Sequence, residues 1–367
     1  MNNESNTKIP NLKPISARNL QQATLPQLNW LVEDMLYEGL AILAGPPKSG
    51  KSWASLQLAY SVSTGKPFLG KRTMKSECLY LALEDSFNRL QNRLNLMLNG
   101  ELLPEGFLLD INCNRLDNGL IIQLTNCLKE HPNIKLIIID TMQLIRGTIG
   151  KNETLYGNDY KDLSILKKFA DENHITILLI HHFRKMLDNG DAFNRFSGST
   201  GIIGVTDTMF ALYKEQRRDK QSIFAISGRD IEEDELIISF DHTTHLWNID
   251  GSRDEFDRIK NKKLYANNPI IITIRKIIAD SDSNSISLTA TELYKKIIEV
   301  TGNRPKESNP SGLTRTLNKM QFDMLEYDGI HYEPPPTNGG ASGRKMYFSI
   351  PKTYDDNKIF TKEQGYI

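Results

Sequence analysis

The chain has 367 residues, of which 39% are hydrophobic and 25% charged, the profile of a globular protein with material for about two domains. Its 45 Lys and Arg balance 45 Asp and Glu, so a nucleic-acid partner would have to be met by a local basic surface rather than by overall charge. Cys78, Cys113 and Cys127 lack metal-ligand spacing and suit a reducing compartment, the polar start Met1-Asn2-Asn3-Glu4-Ser5 has no apolar segment behind it, and no run nears the ~20 apolar residues of a membrane helix; a cytoplasmic protein without a membrane partner is expected.

Residues 1–25 are polar and carry Pro10 and Pro14, which reads as a loose arm. From 26 to 250 strand-like and helix-like segments alternate. Apolar runs at Leu40–Leu43, Cys78–Leu83, Phe107–Ile111, Leu136–Ile139 and Ile175–Ile180 predict strands, and helical spacing covers Lys51–Thr64, Ser86–Leu98, Leu120–Lys129 and Tyr160–Asn173. This rhythm predicts an α/β domain with a mostly parallel sheet and helices on both faces. Thr208–Tyr213, Ser222–Ile226, Leu236–Phe240 and Leu246–Ile249 follow with little helix between them and predict an antiparallel extension.

Residues 251–268 are densely charged and predict a linker, helical in part. The segment 269–351 then changes pattern. A helix over Ile270–Ala279 is followed by Thr289-Ala290-Thr291-Glu292, a capping box opening a helix over Ala290–Val300. Asn309-Pro310 supplies an N-cap with proline at N1 for a third helix burying Leu313, Leu317, Met320 and Met324. Strands Ile330–Glu333 and Lys345–Ile350 flank the tongue Pro334–Gly343. Three helices and a hairpin predict a winged helix, with 352–367 as a tail.

Gly45-Pro46-Pro47-Lys48-Ser49-Gly50-Lys51-Ser52 fits G-x-x-x-x-G-K-[ST], between an apolar strand and a helix. That context makes an anion site from loop amides and a helix N-terminus, with Trp53 immediately after it. Lys51 is expected on the β- and γ-phosphates of ATP and Ser52 on Mg²⁺. Asp140 ends an apolar strand, the arrangement that holds the metal's water shell. Another strand ends in Glu84-Asp85, and ligands of parallel sheets gather at strand carboxyl ends. Glu84 is therefore the candidate general base, and Asp85 the expected N-cap of the next helix. His181 and His182 end a third strand, where either would reach a γ-phosphate. The His242-x-x-His245 pair lacks further ligands, and no metal is assigned to it.

These parts in this order resemble the RecA-like ATPases, and within them the RepA-like hexameric helicases of plasmids and mobile elements. The match rests on Gly45–Ser52, Tyr80-Leu81-Ala82-Leu83-Glu84-Asp85, Ile138-Ile139-Asp140-Thr141 and Ile180-His181-His182-Phe183-Arg184-Lys185, and covers roughly residues 20–250. The resemblance implies a water-activating role for Glu84 and γ-phosphate sensing by His182. It implies two pore loops, at Arg146–Asp159 and Arg184–Gly201, the latter carrying Arg184, Lys185 and Arg195 toward single-stranded DNA. It also implies an arginine supplied in trans within a ring, with Arg229 of Ser227-Gly228-Arg229-Asp230 in that place, although Ser227 stands where such motors often carry lysine.

The winged helix would lay its third helix in a DNA groove. The exposed face of that helix offers Ser311, Thr314, Arg315, Asn318 and Lys319, and the wing ends in Arg344 and Lys345. From Arg258 to Lys345 there are 14 Lys/Arg against 9 Asp/Glu, a net of +5 that favours nucleic acid. The leading expectation is a Mg-ATP-driven oligomeric DNA motor, a ring of six by resemblance, serving replication of a mobile element and meeting replication proteins. The alternatives are a non-translocating ATP-dependent regulator that binds DNA through the winged helix, and a small-molecule P-loop kinase.

Overall fold

The computed structural model describes residues 12–25, 28–148, 155–182, 204–307, 309–336 and 344–351. They fall into two compact units, Met1–Arg253 and Asp254–Ile367.

The first unit opens with a six-residue helix, α1 (Ala17–Gln22), capped by Ser16 and burying no residue, where the sequence reads only as a loose arm. A short antiparallel pair, β1 (Trp30–Val32) and β2 (Leu36–Tyr37), leads into β3 (Gly39–Gly45), every residue of which is buried. There follow α2 (Lys51–Thr64), β4 (Glu77–Ala82), α3 (Phe87–Leu98), β5 (Phe107–Asp110), α4 (Leu120–Glu130), β6 (Ile134–Asp140), α5 (Met142–Ile145), α6 (Leu155–Asn173) and β7 (Thr176–His182). Four further strands, β8 (Thr208–Tyr213), β9 (Gln221–Gly228), β10 (Asp234–Asp241) and β11 (Leu246–Ser252), complete the sheet.

The strand order is β11-β10-β9-β8-β3-β7-β6-β4-β5. Strands β8, β3, β7, β6, β4 and β5 run parallel, and β9, β10 and β11 extend the sheet antiparallel. This is an α/β architecture with a mostly parallel central sheet, as the sequence predicts. Alternation explains the near-continuous apolar runs, because both faces are covered. Leu43, Tyr80, Ile138, Ile180 and Leu212 share one cluster with Leu56, Leu58 and Val62 of α2 and Leu90 of α3. Their neighbours Ile42, Leu81, Ile139 and Leu179 point to the other face and are equally buried, with α6 running along β3 and β7.

The second unit contains α7 (Arg253–Ala266, from Asp254 on), α8 (Pro269–Ala279), β12 (Ser285–Thr289), α9 (Ala290–Thr301), α10 (Pro310–Lys319), α11 (Gln321–Asp328), β13 (His331–Glu333) and β14 (Lys345–Ser349). The capping box forms, with Thr289 Oγ1 accepting from Glu292 N and the Glu292 carboxylate from Thr289 N. Asn268 and Asn309 cap the helices that start with Pro269 and Pro310. The core gathers Ile270, Ile274, Leu293, Ile297, Leu313, Leu317, Met346 and Phe348.

Three features differ from the sequence expectation. The third helix ends at Lys319, and a separate α11 carries the buried Met324. Met320 N donates to both Thr316 O and Leu317 O, tightening the final turn, so the break is made by packing rather than by a glycine or proline. Strand β12 was not anticipated; it joins the hairpin in the order β12-β14-β13, with Ile286 buried opposite Phe348. Within the charged 251–268 segment, Tyr265 is buried in the second core and donates to Asp328.

Candidate nucleotide-binding site

The carboxyl ends of β3, β7, β6 and β4 meet in one place because these strands are adjacent and parallel. Gly45 pairs with His182, and Asp140 pairs with Ala82, two residues before Glu84. Register alone therefore converges the loop after β3, His182, Asp140 and the turn bearing Glu84.

Two glycines make the loop possible. A Cβ on Gly45 would stand 2.2 Å from the Leu212 carbonyl oxygen, and one on Gly50 would stand 2.5 Å from Cζ2 of Trp247. Gly50 also sits at φ +93, a conformation that L side chains rarely adopt. Trp247 is held there by Gln57, whose amide donates to Trp247 O (2.9 Å) and accepts from Trp247 N (2.7 Å). Pro46, Pro47 and Lys48 are exposed at the loop tip. Trp53 is half-buried against Phe240 and His245, with the Arg93 guanidinium over its ring.

Lys51 is 4% exposed, and its Nζ donates to Gly45 O and Pro46 O, both at 2.9 Å. The same Nζ lies 3.2 Å from His182 Nδ1. Burial lowers the Lys51 pKa to about 8, opposed by the carboxylates of Asp140 and Glu84. Burial, and then the Lys51 charge, lowers His182 below the usual histidine range, with Glu84 and Asp140 opposing. At neutral pH the imidazole is uncharged, so Nδ1 accepts from the ammonium.

Asp140 is 8% exposed, and Tyr80 orients it by donating to Oδ2 at 2.9 Å. Tyr80 also meets Ser55 Oγ at 3.1 Å, and Ser55 Oγ donates to Lys51 O. Burial, followed by the charge of Asp140, pushes the Tyr80 phenol well above its usual range, so it remains a donor. Leu83 N donates to Asp140 O at 2.7 Å and ties the Glu84 turn to the end of β6, while Thr141 Oγ1 donates to Ile180 O at 2.8 Å and ties β6 to β7.

Ser49 Oγ is buried in the loop without a hydrogen-bond partner. An unpaired hydroxyl, a buried ammonium and a glycine loop at a helix N-terminus together suit a polyphosphate. Ser52 and Asp140 are an all-oxygen donor pair suited to Mg²⁺, which keeps most of its waters.

Several sequence assignments change on the structure. Asp85 does not cap α3; Ser86 does, its Oγ accepting from Arg89 N. Asp85 instead pairs with Arg89 and Arg93. The sequence alone gives neither Tyr80 nor Arg93 a role in the site: a tyrosine inside an apolar run reads as core, and an arginine on an amphipathic helix reads as surface. The signal for Tyr80 is its hydroxyl, which a fully buried position must pair.

Arg229 is exposed after β9, beside Asp207 and level with the start of β3. The length of β3 separates it from the loop of its own chain by about 20 Å at 3.3 Å per residue. Its guanidinium donates to Gly204 O at 3.0 Å. Of the first expected pore loop, the described ends are held: Arg146 pairs with Asp159 at 2.9 Å, Gly147 N donates to Asp162, and Thr148 to Asp117. Arg184, Lys185 and Arg195 lie outside the described residues. On α10, Arg315 and Lys319 are exposed, Thr314 is half-buried, and Asn318 accepts a hydrogen bond from Tyr332 at 3.0 Å. Arg344 directly precedes β14, and most of the tongue lies outside the described residues. Among the described residues no cluster of His, Cys, Asp and Glu forms a metal site, and no helix is long and apolar enough to cross a membrane.

A family profile described as an AAA domain matches residues 6–187. No curated protein matches the chain. Among solved structures, one described as an ATPase domain is similar at 14% identity and a TM-score of 0.48, over 57% of this chain and 84% of that one. A DnaB-like replicative helicase, from a structure describing its interactions with primase, is similar at 14% identity and a TM-score of 0.46, over 57% of each chain.

Proposed function

We propose that this chain is a Mg-ATP hydrolase acting as an oligomeric, helicase-like motor on DNA. The observation that carries the reading is the meeting of Lys51, His182, Asp140 and Glu84 at four adjacent strand ends around a glycine loop. Lys51 would exchange its loop carbonyls for phosphate oxygens, and Ser49 Oγ and the loop amides would complete the cradle. Ser52 and Asp140 would hold Mg²⁺, which when bound neutralises charge on the phosphates. Glu84, exposed and within electrostatic reach of both Lys51 and His182, would orient the attacking water and accept its proton. His182, sharing Lys51 as a neighbour, would register the γ-phosphate.

Arg229 serves this chemistry only in trans, since its own loop is a strand length away. That supports a ring in which each subunit completes its neighbour's site. After α7 the second unit runs helix, strand, two helices, a further short helix and a hairpin, with the first strand beside the last; this supports reading it as a winged helix that presents Arg315, Asn318, Lys319 and Arg344 to DNA. With Arg184, Lys185 and Arg195 tracking single-stranded DNA, the chain would serve replication of a plasmid or mobile element. The resemblance of Gly45–Ser52, Tyr80–Asp85 and Ile180–Lys185 to the RepA-like helicases supports that role.

Steady-state ATP hydrolysis with and without single-stranded DNA tests it, with Lys51→Ala as control. Stimulation that vanishes in the variant supports the motor. Hydrolysis indifferent to DNA sinks it in favour of an ATP-dependent DNA-binding regulator.

A further inference from the structure

Glu84 lies in a turn held from both sides. On one side Leu83 N donates to Asp140 O, and Asp85 N donates to Ala82 O at 3.1 Å. On the other, the Asp85 side chain is only 10% exposed, and its two oxygens face two guanidiniums. Arg89 Nε reaches Oδ1 at 3.1 Å from a side chain that is 60% exposed, so solvent screens that pair. Arg93 Nη1 reaches Oδ2 at 2.5 Å from a side chain that is 22% exposed. The Arg93 guanidinium also lies 5.6 Å from the ring centroid of Trp53, the residue after Ser52, and its charge is felt by Tyr80, which holds Asp140. One arginine of α3 thus joins the Glu84 turn to the helix that carries the phosphate loop.

We infer that Arg93 is a positioning residue for the general base: by clamping Asp85 against Trp53 it fixes the distance between the Glu84 carboxylate and the γ-phosphate. This rests on Glu84 being the base. Without Arg93, Asp85 keeps only the solvent-screened Arg89 and the adjacent Ser86 N, both on Oδ1; that would let Glu84 drift, and a displacement of about 1 Å in a catalytic group costs up to about a hundredfold in rate. Lysine in place of Arg93 keeps the charge but loses the planar contact with both Asp85 and Trp53, so rescue should be partial.

The test is a double-variant cycle on full-length protein, reading single-turnover ATP hydrolysis and, separately, the Kd for ATP by calorimetry. Arg93→Gln should slow hydrolysis by about 10- to 100-fold while the Kd stays within about threefold, which also shows that the variant folds. Arg93→Lys should recover part of the loss. Asp85→Asn should reproduce the Arg93→Gln defect, and in the Glu84→Gln background Arg93→Gln should add less than about twofold. Losses that multiply in the Glu84→Gln/Arg93→Gln pair, or a Kd that weakens as much as the rate falls, would overturn the inference while leaving Glu84 as the base. Unchanged hydrolysis in Glu84→Gln alone would remove the base assignment itself, and the inference with it.

Discussion

Lys51 Nζ and His182 Nδ1 lie 3.2 Å apart across the paired ends of β3 and β7, a buried ammonium donating to a neutral imidazole. The contact links the residue expected to hold the phosphates to the one expected to sense them. It exists because Gly45 and His182 are in register.

A pH response follows from Lys51. With its pKa lowered to about 8 by burial, a rising share of the protein carries a neutral lysine above that pH. Polyphosphate stabilises the ammonium and raises its pKa toward or beyond the ordinary value of about 10.4. ATP binding should therefore take up a proton between about pH 8 and 10, with little uptake from this group at pH 6.5 to 7, and affinity should fall as pH rises through the window. Calorimetry in buffers of different ionisation enthalpy measures the uptake; a pH-independent proton count would contradict the assignment.

Tyr80→Phe removes the hydroxyl that holds Asp140 Oδ2 and meets Ser55. Partners of this kind typically change metal affinity or activity by about 10–100-fold. The expected result is an Mg²⁺ requirement for hydrolysis raised by about tenfold or more, with a stability loss of about 1 kcal/mol from the broken hydrogen bond. Mg²⁺ titration of the ATPase and a denaturant melt check the two parts separately.

Gly50→Ala places a methyl group where the Trp247 ring already stands, at a φ suited to glycine. The left-handed backbone costs about 1–2 kcal/mol and overpacking about 1–3 kcal/mol more. Denaturant unfolding should show a loss of about 2–5 kcal/mol, and ATP binding should fail, because the loop must move to admit the methyl.

In the second unit, Arg275 makes a two-pronged pair with Asp328, both distances 2.8 Å, and the Asp328 side chain is 3% exposed. Tyr265 donates to the same carboxylate. Arg275→Met leaves a buried charge with one neutral partner and should cost about 3–5 kcal/mol. Arg275→Met/Asp328→Leu should restore much of it; a melt of the double variant no better than the single would contradict the buried-charge account.

Most of the element pattern was legible in the residues because it is locally encoded. The helix over Lys51–Thr64 appears with those bounds, since Gly50 and Gly65 both adopt positive φ at its ends. The Thr289–Glu292 box and the Asn309-Pro310 start are likewise decided within four residues. Strand β12 escaped because Ser285–Thr289 is short and mostly polar and gains its place only by pairing with β14, nearly sixty residues later. The break at Met320 escaped because Leu313, Leu317, Met320 and Met324 keep helical spacing through it.

For the site, the residue types Lys51, Ser52, Glu84, Asp140 and His182 and their positions at strand ends could be read from the sequence, because a phosphate loop and apolar strands capped by polar residues are local signals. The tertiary structure alone decided their neighbours. Strand order put His182 beside Gly45, and burial turned Tyr80 from a core residue into the partner of Asp140. The same packing took Asp85 away from the helix cap and gave it to Arg93 on α3, and placed Trp247 of a distant strand beneath Gly50. Local sequence specifies which backbone conformation a segment prefers; which side chains share a carboxylate or a cavity depends on non-local packing, where a buried polar atom must find its partner wherever the fold brings one.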